Sequence, residues 1–257
     1  MHKMKLIRFS FNGKIFYGDL KENQIHFLND LPWNNGVFTG EIKELSECKL
    51  LAPYLPNKII CTAINYPGAT GLNSNQNEPL IFLKATNTVI GNGEKIISPF
   101  HNLKVWGEPE LGILISQKLS NASIDEAKES IFGYVIANDV TIENINNWDH
   151  HLARSKSVDT FCVLGPYIDT DFKPENQRIQ GFHNNILLRD GVLSERIHKE
   201  PDLLVSLSRW ITLNPGDIII TGSPTRVRER EYLKHGDTFE CRIDELGNIK
   251  NEFCIKQ

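Results

Sequence analysis

Short apolar runs closed by Gly, Pro, Asn or Asp recur along almost the whole chain and leave little room for helices. Lys58-Ile59-Ile60-Cys61-Thr62-Ala63, Leu80-Ile81-Phe82-Leu83, Leu111-Gly112-Ile113-Leu114-Ile115, Tyr134-Val135-Ile136-Ala137-Asn138 and Asp217-Ile218-Ile219-Ile220-Thr221 have the length and β-branched content of buried strands. Residues 5–28 alternate apolar and polar positions around Asn12-Gly13, a pair that favours a two-residue hairpin turn. Only two segments carry helical signals. Ser123-Ile124-Asp125-Glu126 is a capping box, with Ala127 and Ile131 on the Ile124 face and Gly133 as the stop. Pro201 opens the second helix, with Leu203, Leu204, Leu207, Trp210 and Ile211 on the side expected to be buried, and Asn214-Pro215-Gly216 closes it. Strands that do not alternate regularly with helices argue against a doubly wound sheet and predict a β-dominated α+β fold.

Turn-rich residues 29–57, with Pro32, Asn34-Asn35-Gly36, Pro53 and Pro56, divide the chain into a small N-terminal β-rich unit with its connector, 1–56, and a larger domain, 57–257. A net charge of −4 with scattered Lys and Arg gives no basic stripe, so neither nucleic acid nor an anionic membrane is an expected partner. No apolar run approaches the roughly 20 residues of a membrane span, and residues 1–8 carry no signal core, so a cytoplasmic location is expected. Five cysteines at wide spacing, with no Cys-x-x-Cys pair, read as buried thiols in a reducing compartment.

The chemistry concentrates at Glu108-Pro109-Glu110, which leads into the Leu111–Ile115 run. Strand side chains alternate, so two glutamates at i and i+2 share a face. Like charges that close repel unless a cation or protons lie between them, which makes the pair a candidate site for a hard metal ion. Asp139, at the end of the Tyr134 run, supplies a third carboxylate if the two strand ends are neighbours. A second reading fits the same residues: on an edge strand, Pro109 and two charges discourage pairing with other chains. Residues 67–77 are rich in turn formers and suit either a lid over a site or a plain surface loop.

Several further motifs occur in order with these. They are Ile64-Asn65-Tyr66, Glu78-Pro79-Leu80-Ile81-Phe82-Leu83-Lys84, Asn87-Thr88-Val89-Ile90-Gly91, Gly133-Tyr134, Lys156-Ser157-Val158-Asp159-Thr160, Leu164-Gly165-Pro166 and Leu213-Asn214-Pro215-Gly216 running on to Thr221-Gly222-Ser223-Pro224. Together they resemble the fumarylacetoacetate hydrolase family over about residues 57–257. The Asn87–Gly91 and Arg154–Asp159 segments are most similar to the branch of 2-hydroxyhepta-2,4-diene-1,7-dioate isomerase and 5-oxopent-3-ene-1,2,5-tricarboxylate decarboxylase in homoprotocatechuate breakdown.

The resemblance implies a mixed β-sandwich roll of the family's C-terminal-domain type, usually a homodimer, that binds Mg2+ or Mn2+ and acts on 2-oxo acids. Glu108, Glu110 and Asp139 fall on its metal positions and Lys156 on its catalytic lysine, expected to have a lowered pKa beside the ion. Tyr66, Lys84, Asn146, Thr221 and Ser223 fall at substrate-binding positions. Departures choose among reactions. Hydrolytic members carry a His and a Glu in the lid, where this chain has Ala69 and Leu72. The Arg and Gln that often follow the metal Asp are Glu143 and Asn146, and two glycines after Ser223-Pro224 become Arg226 and Arg228. Arg226, Arg228 and Arg230 read either as a receptor for a far carboxylate or as a solvated charged turn, and His150-His151 as pocket-lining or exposed. An isomerase or decarboxylase of a 2-oxo dicarboxylic acid in aromatic-acid catabolism is therefore expected. An acylpyruvate-type hydrolase is the alternative, and a non-catalytic subunit, or one dependent on a paired homologous subunit, is the alternative from another class.

Overall fold

The computed structural model describes residues 3–69 and 78–256. It is dominated by strands, in two packed sheets and a short ribbon. The large sheet runs in the order Phe38–Glu44, Gln24–Leu28, Lys14–Lys21, Lys5–Phe11, Cys162–Asp169, Ile131–Asp139, Pro109–Ile115, Ile218–Ile220, Ile59–Ala63, Leu80–Lys84. The second sheet runs Ile186–Val192, Arg178–His183, Thr238–Ile243, Gly247–Ile255, Ile96–Ser98. Most pairs are antiparallel, but Ile218–Ile220 lies parallel to Ile59–Ala63, and Ile96–Ser98 parallel to Gly247–Ile255. The expected β-dominated, mixed-sheet sandwich is what the chain forms.

Period-two alternation places the core. Leu111, Ile113, Ile136 and Ile219 point toward the second sheet and pack with Ile179, Cys241, Ile249 and Phe253. Their neighbours Leu114, Val135, Ile218 and Ile220 face the other way, against Tyr54, Phe82 and Leu164. The central strands are therefore buried on both faces, as their near-continuous apolar runs require. Each fully buried Ile or Leu contributes about 1.5–3 kcal/mol of transfer free energy.

The N-terminal hairpin forms with Phe11 opposite Lys14, and Asn12 (φ 49°) and Gly13 (φ 75°) both take the left-handed conformation that its turn demands. These strands join the large sheet directly, since Lys5 pairs with Asp169 and Leu6 with Ile168. The capping box at Ser123 opens the Ile124–Ser130 helix: Ser123 Oγ accepts from Glu126 N at 3.3 Å and Glu126 Oε2 from Ser123 N at 2.8 Å.

Two expectations fail locally. Gly133 does not stop this helix; it sits inside the Ile131–Asp139 strand, where a Cβ would lie 2.6 Å from the Asp169 carbonyl oxygen. The second helix, Asp202–Ser208, buries Leu203, Leu204 and Leu207, but it ends before Trp210, which is 60% exposed. All five cysteines are free thiols, four of them buried. Among the described residues no helix is long and apolar enough to cross a membrane.

Candidate active site

Antiparallel pairing of Pro109–Ile115 with Ile131–Asp139 sets Pro109 opposite Asn138 and Glu110 opposite Ala137, so the start of one strand meets the end of the other. Asp139 N donates to Glu108 O and Glu108 N to Asn138 Oδ1, both at 2.9 Å. One ligand oxygen each from Glu108, Glu110 and Asp139 then lies within 4.8 Å of the others. The edge-strand reading of Glu108-Pro109-Glu110 is overturned, because this strand is central, between Ile131–Asp139 and Ile218–Ile220. Pro109 is tolerated as the first strand residue: pairing with Ile218–Ile220 begins only at Gly112.

A turn holds Glu110 from the far side. Gly222 N donates to Glu110 Oε2 at 2.5 Å, and Gly222 has φ 88° with room for no side chain: a Cβ would lie 2.7 Å from Asn65 Cβ. Asn65 ties this turn to the 196–198 segment. Its Nδ2 donates to the carbonyls of Thr221 (2.7 Å) and His198 (2.9 Å), and its Oδ1 accepts from His198 N at 2.6 Å. Beside it Ile64, a β-branched residue at φ 53°, holds a strained conformation on the cavity wall.

Three cations enclose the carboxylates. Lys156 ends the short Ala153–Lys156 helix, pinned where Ser155 N donates to Asp149 Oδ2 at 2.6 Å. Its Nζ donates to Glu108 Oε2 (2.8 Å), to Asp139 Oδ2 and to Thr141 Oγ1 (2.7 Å), and it lies 4.8 Å from the centre of the Phe82 ring. Lys84 Nζ donates to Asp139 Oδ1 at 2.6 Å. Arg189 reaches across from the second sheet, donating through Nη2 to Glu108 Oε1 (2.6 Å) and through Nη1 to Pro224 O (2.7 Å). The Asn87–Gly91 and Arg154–Asp159 segments also touch, where Asn87 Nδ2 donates to Asp159, and just before the first of them Ala85 N donates to Ser157 Oγ at 3.0 Å.

The electrostatics follow from this crowding. Burial pushes the Glu108 carboxyl up, but Lys156 and Arg189 outweigh it and hold the pKa at about 2. Glu110 lacks such a partner. Burial, reinforced by Asp139 and Glu108, pushes it well above the carboxylate range. Burial alone depresses the Lys156 ammonium, yet Asp139, Glu108 and Glu110 more than reverse this and its pKa is raised. The lowered lysine expected beside an ion is therefore not the metal-free state. Three converging carboxylates, two of which hold a lysine ammonium while the third, Glu110, has its pKa raised by burial and its neighbours' charge, fit a divalent cation bound by hard oxygen ligands.

The triad opens into a cavity of about 770 Å³. Lys156 and Ser223 line it, and Ser223 Oγ is buried without a hydrogen-bond partner among the described residues. The other substrate-binding candidates lie elsewhere. Tyr66 is buried in the core beside a second cavity of about 540 Å³. Asn146 is exposed at φ 54°, outside the cavity lining, because the 144–149 segment turns it toward solvent. Thr221 spends its hydroxyl on Leu111 O at 2.9 Å, and Lys84 is buried behind Asp139, outside the cavity lining. His150 and His151 are exposed and line neither cavity. Of the lid, Ala69 lines the cavity, whereas Leu72 lies outside the described residues.

Arg189 carries no sequence signal. It sits mid-strand in an ordinary half-buried pattern, and only sheet packing brings it to Glu108.

Residues 58–254 match the family model of the fumarylacetoacetate hydrolase C-terminal domain, and residues 4–53 match the Rv2993c-like N-terminal model. An uncharacterized protein of Methanocaldococcus jannaschii is 40% identical over 76% of this chain and 82% of its own. The mitochondrial oxaloacetate tautomerase of Xenopus laevis is 34% identical over 80% of this chain and 68% of its own. Among solved structures, 2-hydroxyhepta-2,4-diene-1,7-dioate isomerase from Mycobacterium marinum superposes with a TM-score of 0.88 at 30% identity, covering 98% of this chain and 99% of that one. On this match over most of its length, the chain belongs to the fumarylacetoacetate hydrolase family.

Proposed function

We propose that the protein is a Mg2+- or Mn2+-dependent isomerase or decarboxylase of a 2-oxo dicarboxylic acid, working through an enolate at C3. One observation carries the reading: a single cavity brings the Glu108, Glu110 and Asp139 triad together with the Lys156 ammonium, and no histidine lines it among the described residues. Glu108, Glu110 and Asp139 would hold the cation, which supplies Lewis-acid stabilisation of negative charge on the 2-oxo oxygen.

The chain's own groups do the rest. Arg189 and Thr141 fix the Glu108 carboxylate, and Gly222 N fixes Glu110. Lys156 Nζ holds or moves the proton at C3; once its carboxylate neighbours are neutralised, burial is the force left on it and favours the amine. Ser223 Oγ is available to donate to a substrate oxygen. Hydrolysis needs a group that activates water, and Ala69, at one dyad position, cannot move a proton. The likeness to the oxaloacetate tautomerase and to the heptadiene-dioate isomerase supports chemistry at C3. A cytoplasmic homodimer completes the proposal, checked by fractionation and light scattering.

Proton NMR in D2O tests the reaction, with oxaloacetate and an unsaturated 2-oxo heptanedioate, each with Mg2+ and with chelator. Mg2+-dependent C3 exchange or CO2 loss that disappears in Glu108→Ala is the expected result. C–C hydrolysis products would establish the acylpyruvate-type hydrolase instead, and turnover only on adding a homologous chain would establish the paired subunit.

A further inference from the structure

Of the inner charges of the cavity, Glu108 is compensated by Lys156 and Arg189, and Asp139 by Lys156 and Lys84. Its remaining charged wall is not. Arg226, Arg228 and Arg230 line the same cavity as the triad, with Glu229 among them; Arg226 and Arg228 are exposed and Arg230 is half-buried, and among the described residues no hydrogen bond or ion pair reaches their guanidinium groups. Arg230 Nε is buried without a partner. The buried arginines Arg189 and Arg196, by contrast, are each paired with a glutamate. Burial is the main force that lowers the Arg230 pKa, and the neighbouring Arg226 and Arg189 charges add to it.

The segment that bears these arginines is anchored at both ends. Arg189 Nη1 holds Pro224 O at 2.7 Å, Asp190 N donates to Thr225 O at 3.4 Å, and Val227 N donates to Leu188 O at 3.0 Å. At the other end Leu233 N donates to Val105 O at 2.8 Å, and the Arg230 guanidinium stacks 4.2 Å above Trp106, two residues before Glu108. A freely solvated charged turn has no need of such anchoring. Guanidinium forks match carboxylates bidentately, and a fixed fork loses little entropy on pairing.

We infer that Arg226 and Arg230, supported by Arg228, form the receptor for the second carboxylate of a dianionic substrate whose 2-oxo acid end lies at the triad. The inference rests on the 2-oxo acid reading above and deepens it. These arginines make the enzyme select for a remote negative charge, so the 2-oxo acid end alone does not determine affinity.

The test is calorimetric binding of 2-oxoadipate and 2-oxohexanoate to the Mg2+-loaded full chain; the two probes differ only in whether the far end is a carboxylate or a methyl. Charge-assisted pairing at two forks predicts about tenfold or greater preference for 2-oxoadipate, shrinking in high salt. In the Arg226→Ala, Arg230→Ala double variant the ratio of the two affinities falls toward one, and Arg226→Lys, Arg230→Lys recovers part of it. The Lys variant also guards against loss of fold, since its bulk and charge are kept. Equal, Mg2+-dependent binding of both probes by the wild type, or an undiminished ratio in the Ala variant, overturns the inference and leaves the 2-oxo acid reading standing. Binding of neither probe overturns both.

Discussion

Lys156→Met tests the electrostatic logic of the site most directly. The wild-type ammonium donates to Glu108, Asp139 and Thr141 from a buried position, and Met fills similar volume without charge. Leaving a buried charge with no partner costs about 3–5 kcal/mol, and because Arg189 still holds Glu108 and Lys84 still holds Asp139 the lower end, about 3 kcal/mol, applies here. For a chain of this size each kcal/mol corresponds to roughly 2–4 °C, so the metal-free variant should melt about 6–12 °C below the metal-free wild type. Mg2+ then has the opposite effect in proportion, since it neutralises Glu108 and Asp139 without displacing an ammonium. At a Mg2+ concentration about 100 times the variant's dissociation constant it restores about 2.7 kcal/mol, and the wild type, whose ammonium competes for the same carboxylates, gains less at that concentration. Scanning calorimetry of both proteins, with Mg2+ and with chelator, should therefore show a larger Mg2+-induced rise in Tm for Lys156→Met, together with loss of C3 exchange. An unchanged metal-free Tm, or a Mg2+ response no larger than that of wild type, would refute the idea that Lys156 occupies the place of a cation.

Because burial and the neighbouring Asp139 and Glu108 raise the Glu110 pKa well above the usual carboxylate range in the metal-free protein, Mg2+ binding below that raised pKa should release a proton, seen as a dependence of the calorimetric enthalpy on buffer ionisation heat that fades as pH rises through it. Glu108 has the opposite sign: its depressed pKa gives stability that is fully present above its ordinary value of 4.5 and is lost as pH falls toward about 2. The metal-free Tm gap between wild type and Glu108→Gln should accordingly be widest above pH 4.5 and close on acidification. Gly222→Ala, which puts a Cβ 2.7 Å from Asn65 Cβ at φ 88°, should cost about 1–3 kcal/mol in chemical denaturation and weaken Mg2+ binding by moving the amide that holds Glu110.

What the sequence discloses about this molecule is what neighbouring residues decide among themselves. The Asn12-Gly13 turn and the Ser123 capping box depend on residues within a few positions, and both form as read. The Glu108 and Asp139 pairing was legible only as a condition on two strands being adjacent, and strand pairing meets it. Arg189 escaped because a half-buried strand offers an arginine both solvent and interior, and the choice is made by the opposite sheet. Lys84 and Thr221 sit at positions that suggest ligand contacts, but each turns to the nearest buried acceptor, Asp139 Oδ1 and Leu111 O. Gly133 looked like a helix stop because glycine serves both turns and close approaches, and here the approach to Asp169 decides.

Glu108, at the head of a large-sheet strand, is gripped by Lys156 from the Ala153–Lys156 helix and by Arg189 from the Ile186–Val192 strand of the second sheet. A change of charge at this one carboxylate is therefore felt as a change in cohesion between the layers. The same guanidinium carries the Pro224 carbonyl, from which the arginine-bearing segment departs. Cation loading and the poise of the distal substrate wall thus share a hinge pin, so whatever fills one end of the cavity stiffens the scaffold that shapes the other.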